Sequence, residues 1–334
     1  LPSVPKSVPK ARFEAVRVDA QGARPAAEPG SIDVALLDMN AGFANVGHDA
    51  ILAIVRDAAL ALDEELRRGD RRIRVLSYAV RDGLAVPDHR DGRHSLYLGT
   101  GGPGHLDPRQ NTSSMGAVEI VEDPAWEAPL FGLFEAIAGD PEAAFFGVCH
   151  SFGLVCRWSG AAQPVLRGPE KGGPRSGVGT NILTSEALAH PYFSGLAGPS
   201  SAAVAVPVLD SRYYDLIPQS PAPRGVVPIA FESSVAGDGP GDAMTMLEVA
   251  REPGGRPRFF AVNSHPEIGS PERIAAILQR LLDSGAMSAD VYKQRVRILP
   301  VLRDDRREER LRVGRFVFSD LVHERLAAIL RAAA

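Results

Sequence analysis

Residues 144–159 read AFFGVCHSFGLVCRWS. The apolar run Ala144–Val148 has the length of a buried strand, and Ser151–Ser159 carries apolar residues at helical spacing. The spacing therefore predicts a strand that turns directly into a helix, with Cys149 on the turn. A side chain mounted there is exposed only if its neighbours two positions before and after are small, so that strand and helix can approach each other. Gly147 meets that demand and Ser151 meets it less closely. A cysteine at a helix N-terminus also faces peptide dipoles that favour its thiolate. The bland alternative is a free cysteine acting as a small buried hydrophobe, and this stretch alone leaves both readings open.

Working outward, Ser31–Met39, Arg74–Val80 and Ser95–Gly99 read as strands, and His48–Leu66 and Trp126–Ile137 as helices. Such alternation predicts crossover connections. The expected fold class is α/β, a three-layer αβα sandwich around a mostly parallel, doubly wound, flavodoxin-like sheet. Past the elbow, 160–182 is rich in Gly and Pro and reads as loops. Ala202–Val208, Val227–Phe231, Met244–Ala250 and Phe259–Val262 read as strands, and Pro271–Leu282 as a helix with Ser270 as its N-cap. Three parts are expected: a Pro-rich extended arm over 1–30, the main domain over 31–285 and a helical C-terminal extension over 286–334. The last helix gathers Phe318, Leu321, Val322, Leu326, Ile329 and Leu330 on one side, near Ser319 and Asp320 at its start. It reads as a cap on the main domain or as a docking face for a partner or a second copy. Arg303–Arg312 alternates in sign and reads as a solvated helix face.

Composition narrows the partners. The 37 Lys and Arg against 41 Asp and Glu, a net charge of −4, give no ground for nucleic acid or an anionic membrane surface. No apolar run approaches the roughly 18 residues of a membrane span. The start, LPSVPKSVPKARFE, lacks the apolar core of a signal peptide, and two cysteines, Cys149 and Cys156, make no disulfide framework. A reduced, cytoplasmic setting is the expectation. The scattered histidines show no metal-ligand spacing with the cysteines, so neither a metal nor another cofactor is expected.

Two further segments carry chemistry. FFAVNSHPE (259–267) is a strand ending in His265-Pro266-Glu267. Pro266 pushes the residue before it into extended backbone, where residues two apart project to the same side, so Glu267 can orient the imidazole of His265. GTGGPG (99–104) follows the third strand and matches G-x-G-x-x-G, with Glu122 and Asp123 about 20 residues on. No helical periodicity follows it, so a dinucleotide site is rejected. The better reading is a loop whose backbone N–H at Gly102 joins that of His150 as an oxyanion hole.

The Gly-Gly-Pro-Gly loop, the cysteine elbow and the late His-Pro-Glu, in this order, resemble class I glutamine amidotransferase domains, over about residues 31–282. The resemblance implies Cys149 as nucleophile, His265 as base and acid, and Glu267 as its orienter. It implies attack on the side-chain amide of glutamine through a thioester, releasing ammonia for a separate synthetase subunit. Gly101 and Phe152 are the expected substrate contacts. Two departures bear on the substrate: Ser151 replaces the usual Gly, and Gly153 stands where the family carries a Gln that holds glutamine. An acyltransferase or γ-glutamyl-type hydrolase with another small-molecule substrate is therefore the runner-up. A non-catalytic binding or regulatory protein is the third reading.

Overall fold

The computed structural model describes residues 12–111, 120–197, 205–220, 223, 225–235, 237 and 239–332. In chain order the first half comprises β1 (Phe13–Val18), β2 (Ser31–Asp38), α1 (Val46–Ala61), α2 (Asp63–Arg68), β3 (Arg72–Ala79), β4 (His94–Gly99), α3 (Glu127–Gly139), β5 (Ala144–Val148) and α4 (His150–Ser159). Next come β6 (Ala162–Leu166), β7 (Arg175–Leu183), α5 (Ser185–Ala189), β8 (Ala205–Arg212), β9 (Tyr214–Pro218), β10 (Val227–Ser233), β11 (Pro240–Arg251) and β12 (Pro257–Val262). The chain closes with α6 (Pro271–Asp283), α7 (Ala289–Arg295), α8 (Ile298–Val301), α9 (Arg307–Gly314) and α10 (Asp320–Ala332). A π-helical stretch, Arg315–Ser319, joins the last two helices.

The strands lie in one sheet in the order β1-β3-β2-β4-β5-β12-β11-β10-β7-β8, with β9 pairing β6 and β11 off this path. Pairing is parallel from β1 to β12 and antiparallel beyond. Strand periodicity divides the core into two layers. Val34, Leu36, Phe146, Val148 and Phe260 face a cluster shared with α1, α5 and α10. Their neighbours Ala35, Leu37, Phe145 and Phe259 face the opposite cluster, shared with α3 and α4. Helices thus cover both faces, giving the α/β three-layer arrangement, and each fully buried Phe contributes roughly 1.5–3 kcal/mol by leaving water. Among the described residues no helix is long and apolar enough to cross a membrane.

Several local expectations need correction. Phe13–Val18 forms an edge strand parallel to β3, so this part of the arm belongs to the sheet. Only Val18 of it is buried, so no apolar run marks it. The expected loops of 160–182 hold β6 and all of β7 except its last residue, despite Pro164, Gly177 and Gly179. Residues 202–204 of the expected Ala202–Val208 strand lie outside the described residues, and the strand there runs from Ala205 to Arg212. The Arg303–Arg312 face is not fully solvated, since Arg310 is buried, donating to Asp304 at 2.7 Å and to the Leu302 carbonyl at 2.7 Å. Ser270 does cap α6, its hydroxyl accepting from the Arg273 amide. Val313, Val317, Phe318, Leu321, Val322, Leu326 and Leu330 of the C-terminal helices are part of the first apolar cluster.

Candidate active site

β5 and β12 are adjacent and parallel, with Val148 opposite Val262. Cys149 and His265 lie one and three residues past those strand ends, so the register alone brings them to the same carboxyl edge. The Cys149 amide donates to the Val262 carbonyl at 2.7 Å, tying the two ends together. Cys149 itself has φ 50° and ψ −104°, a conformation that non-glycine residues avoid. This is the sharp strand-to-helix turn that the sequence implied.

The turn is tight on both sides. A Cβ on Gly147 would stand 2.7 Å from the Phe145 ring and 3.2 Å from the Ser151 Cβ. Ser151 fits because Gly99 faces it: a Cβ there would lie 2.5 Å from the serine oxygen. The Ser151 hydroxyl donates to the Thr100 carbonyl at 2.7 Å, so the departure from Gly adds a link between the elbow and the glycine loop.

His265 donates its backbone N–H to the Leu209 carbonyl at 2.8 Å, which fixes it against β8. Its Nδ1 lies 2.8 Å from Oε1 of Glu267, whose side chain is wholly buried, and Cys149 is close enough for its charge to act on the ring. The structure therefore brings the three side chains to one place, with a hydrogen bond joining His265 to Glu267. Burial alone would drive the imidazole neutral. The charges of a Cys149 thiolate and the Glu267 carboxylate overcome it and hold the His265 pKa well above the ordinary histidine value. The Cys149 sulfur also lies 3.7 Å from the Ser211 carbonyl at the end of β8. On either side of Ser211, Asp210 and Arg212 are buried in an ion network with Arg167, Asp215 and Glu232, including Arg167–Asp215 at 2.6 Å. That network stiffens the strand that roofs the thiol.

Gly101 belongs to the same space. A Cβ on it would stand 3.2 Å from Cε1 of His265 and 3.9 Å from the sulfur. A Cβ on Gly102 would run into the Met39 carbonyl oxygen, so only glycine lets the loop lie against the end of β2. His150 opens α4, and its N–H is one of the first-turn amides without an intrahelical acceptor. Its ring is buried, and burial together with the charges of Arg81 and Arg157 holds its pKa well below normal, so the imidazole is neutral. Phe152 requires correction. Expected beside the thiol, it is 0 % exposed and packs in the apolar cluster shared with α3 and α4. The place of a side chain at Gly153 is filled by Leu106, whose methyls would be 2.5 Å from a Cβ there. Cys156 is a core residue, and burial pushes its thiol well up.

Some contributors were not visible in the sequence. Arg81, buried, donates to the Met39 carbonyl at 2.9 Å, to the Pro103 carbonyl at 2.7 Å and to both oxygens of Glu122 at 2.7 Å. It thereby anchors the glycine loop from below, and Glu122 serves this scaffold rather than a ribose. Thr100 accepts from the Met39 amide at 2.9 Å. Only the charge that closes the apolar run RVLSYAVR hinted at Arg81. Among the described residues no group of three His, Cys, Asp or Glu side chains could hold a metal.

No family model matches the sequence, and no curated protein does. Among solved structures the chain is similar to the crystal structure of SMU.1228c, at 16% identity and TM-score 0.47, over 87% of this chain and 99% of that one. It is also similar to a glutamine amido transferase from Methylobacillus flagellatus, at 13% identity and TM-score 0.46, over 88% and 93% of the two chains.

Proposed function

We propose that the protein is a cysteine-dependent acyl-transfer enzyme of the glutamine amidotransferase type. The observation that supports this reading is a juxtaposition: a thiol on a strained elbow beside an imidazole whose Nδ1 lies 2.8 Å from a buried carboxylate. In the proposed reaction the Cys149 thiolate attacks the side-chain amide carbon of glutamine. The negative charge passes to the carbonyl oxygen, which takes hydrogen bonds from the backbone N–H groups of His150 and Gly102. Collapse expels ammonia, protonated by the imidazolium of His265, and leaves a thioester on Cys149. His265, now neutral and held in its tautomer by Glu267, takes a proton from water as it attacks, and glutamate departs. The ammonia passes to a separate acceptor enzyme.

The packing of Leu106 into the space at Gly153 supports a second reading, acyl transfer from another amide, ester or thioester, because the Gln that would hold glutamine has no counterpart there. One experiment addresses both. The protein is incubated with glutamine and, separately, with p-nitrophenyl acetate, and ammonia, p-nitrophenolate and the intact mass are followed. Ammonia release abolished by Cys149→Ala supports the glutaminase. An acyl adduct on Cys149 with no ammonia supports the second reading. Absence of both in the wild-type protein overturns thiol-dependent acyl chemistry.

A further inference from the structure

We infer that the segment His265-Pro266-Glu267 is held in working geometry by a clamp of two helices, closed through Gly47 of α1 and Gly314 of α9. Both glycines are then positioning residues, and the inference rests on the relay proposed above. On one side, a Cβ on Gly47 would stand 2.8 Å from Oε1 of Glu267, the oxygen that holds the His265 ring, and 2.9 Å from the Asn45 Oδ1 that caps α1. The carboxylate therefore rests on the first turn of α1, where the helix dipole favours negative charge. On the other side, a Cβ on Gly314 would stand 2.9 Å from the Pro266 carbonyl oxygen and 3.6 Å from its Cα. Backbone meets backbone there with no flexible side chain to give way.

Gly314 sits within an unbroken helical run, where glycine is intrinsically disfavoured, so a packing reason is required. The contact with Pro266 supplies it. Arg310, Val313 and Val317 of the same helix, together with His265 and Pro266, enclose a cavity of about 10 Å³, hardly room for one water. Residues from near both ends of the chain thus press on the three residues between them. Among the described residues, the titratable and charged groups facing the imidazole include Cys149 on the elbow, Glu267 beneath it, and Arg310 on α9, which is paired with Asp304.

The test is the pH profile of Cys149 alkylation by iodoacetamide, read peptide by peptide so that Cys156 does not contribute, in wild type, Gly314→Ala and Gly47→Ala. The clamp holds the imidazole beside the sulfur, where its positive charge promotes attack; with the ring loosened, both variants should be alkylated about tenfold more slowly at pH 6.5 and converge with wild type above pH 9. If Gly314→Ala fails to fold, Gly47→Ala carries the test, because its methyl meets only side-chain ends. Superimposable wild-type and variant profiles would overturn the clamp and leave the relay standing. A wild-type thiol no faster than free cysteine would overturn the relay, and the clamp with it.

Discussion

Replacing Gly101 with Ala would place one methyl group 3.2 Å from Cε1 of His265, 3.4 Å from Cβ of Cys149 and 3.9 Å from its sulfur. Gly101 is not among the residues with positive φ, so its backbone tolerates the change. The ring contact is tight by only a few tenths of an ångström, which a small tilt of the imidazole relieves. The damage is to the substrate, whose reacting carbon has to enter the space that the methyl now occupies beside the sulfur. An acyl carbon must come within about 3–3.5 Å of the sulfur, and a misplacement of about 1 Å costs roughly 100-fold in rate. The acyl-enzyme burst with p-nitrophenyl acetate should therefore fall about 100-fold, while the free energy of urea unfolding moves by less than about 1 kcal/mol. Gly102→Ala is the control of opposite character, because its methyl runs into the Met39 carbonyl and the backbone must move. It should lose roughly 1–3 kcal/mol of stability. A Gly101→Ala protein that kept the wild-type burst would show that the reacting carbon does not enter between sulfur and ring, and the site as described would be wrong.

Glu267→Gln removes one of the two charges that hold up the His265 pKa, so Cys149 alkylation should slow at pH 6 and match wild type at pH 9. An equal loss at every pH would contradict the electrostatic role. Ser151→Ala deletes the buried bond to the Thr100 carbonyl, 2.7 Å long, and should cost about 1 kcal/mol in urea unfolding; an unchanged midpoint would show that the elbow and loop are not coupled through it. Burial lowers the His94 pKa from 6.5 to about 4. The unfolded chain takes up this proton near pH 6.5 and the folded one only near pH 4, so stability is lost as pH falls through that window, by about 3 kcal/mol. His94→Asn should flatten that part of the stability curve measured by denaturant titration.

The central strands were readable because they are buried on both faces and therefore form unbroken apolar runs, as in VALL (34–37) and AFFGV (144–148). The antiparallel β8, β10 and β11 were read in part, but β1, β6, β7 and β9 were not. FEAVRV (13–18) is half solvated, and AQPVL (162–166) carries a proline that an edge strand tolerates. Local chemistry was equally readable: the elbow and His-Pro-Glu each lie within nine residues, and backbone geometry sets what each can do. What joins them was hidden. Arg81 acting beneath Gly102, Gly99 opposite Ser151, and Leu106 over Gly153 are pairings across large sequence separations, and nothing in a single chain marks one partner for the other. Phe152 illustrates the same point from the other side. Adjacent to the cysteine in sequence, it points into the core because the helix turns it away.

Cys149 keeps its side chain on a backbone of φ 50° and ψ −104° that glycine would occupy with less strain, a difference of about 1–3 kcal/mol. Durability and reactivity therefore oppose each other at this residue. A library of variants ranked by melting temperature alone would enrich glycine at 149 and deliver sturdier, mute proteins. On the function proposed above, any effort to harden this molecule has to score sulfur chemistry alongside heat resistance, or it will select against the atom that the elbow presents.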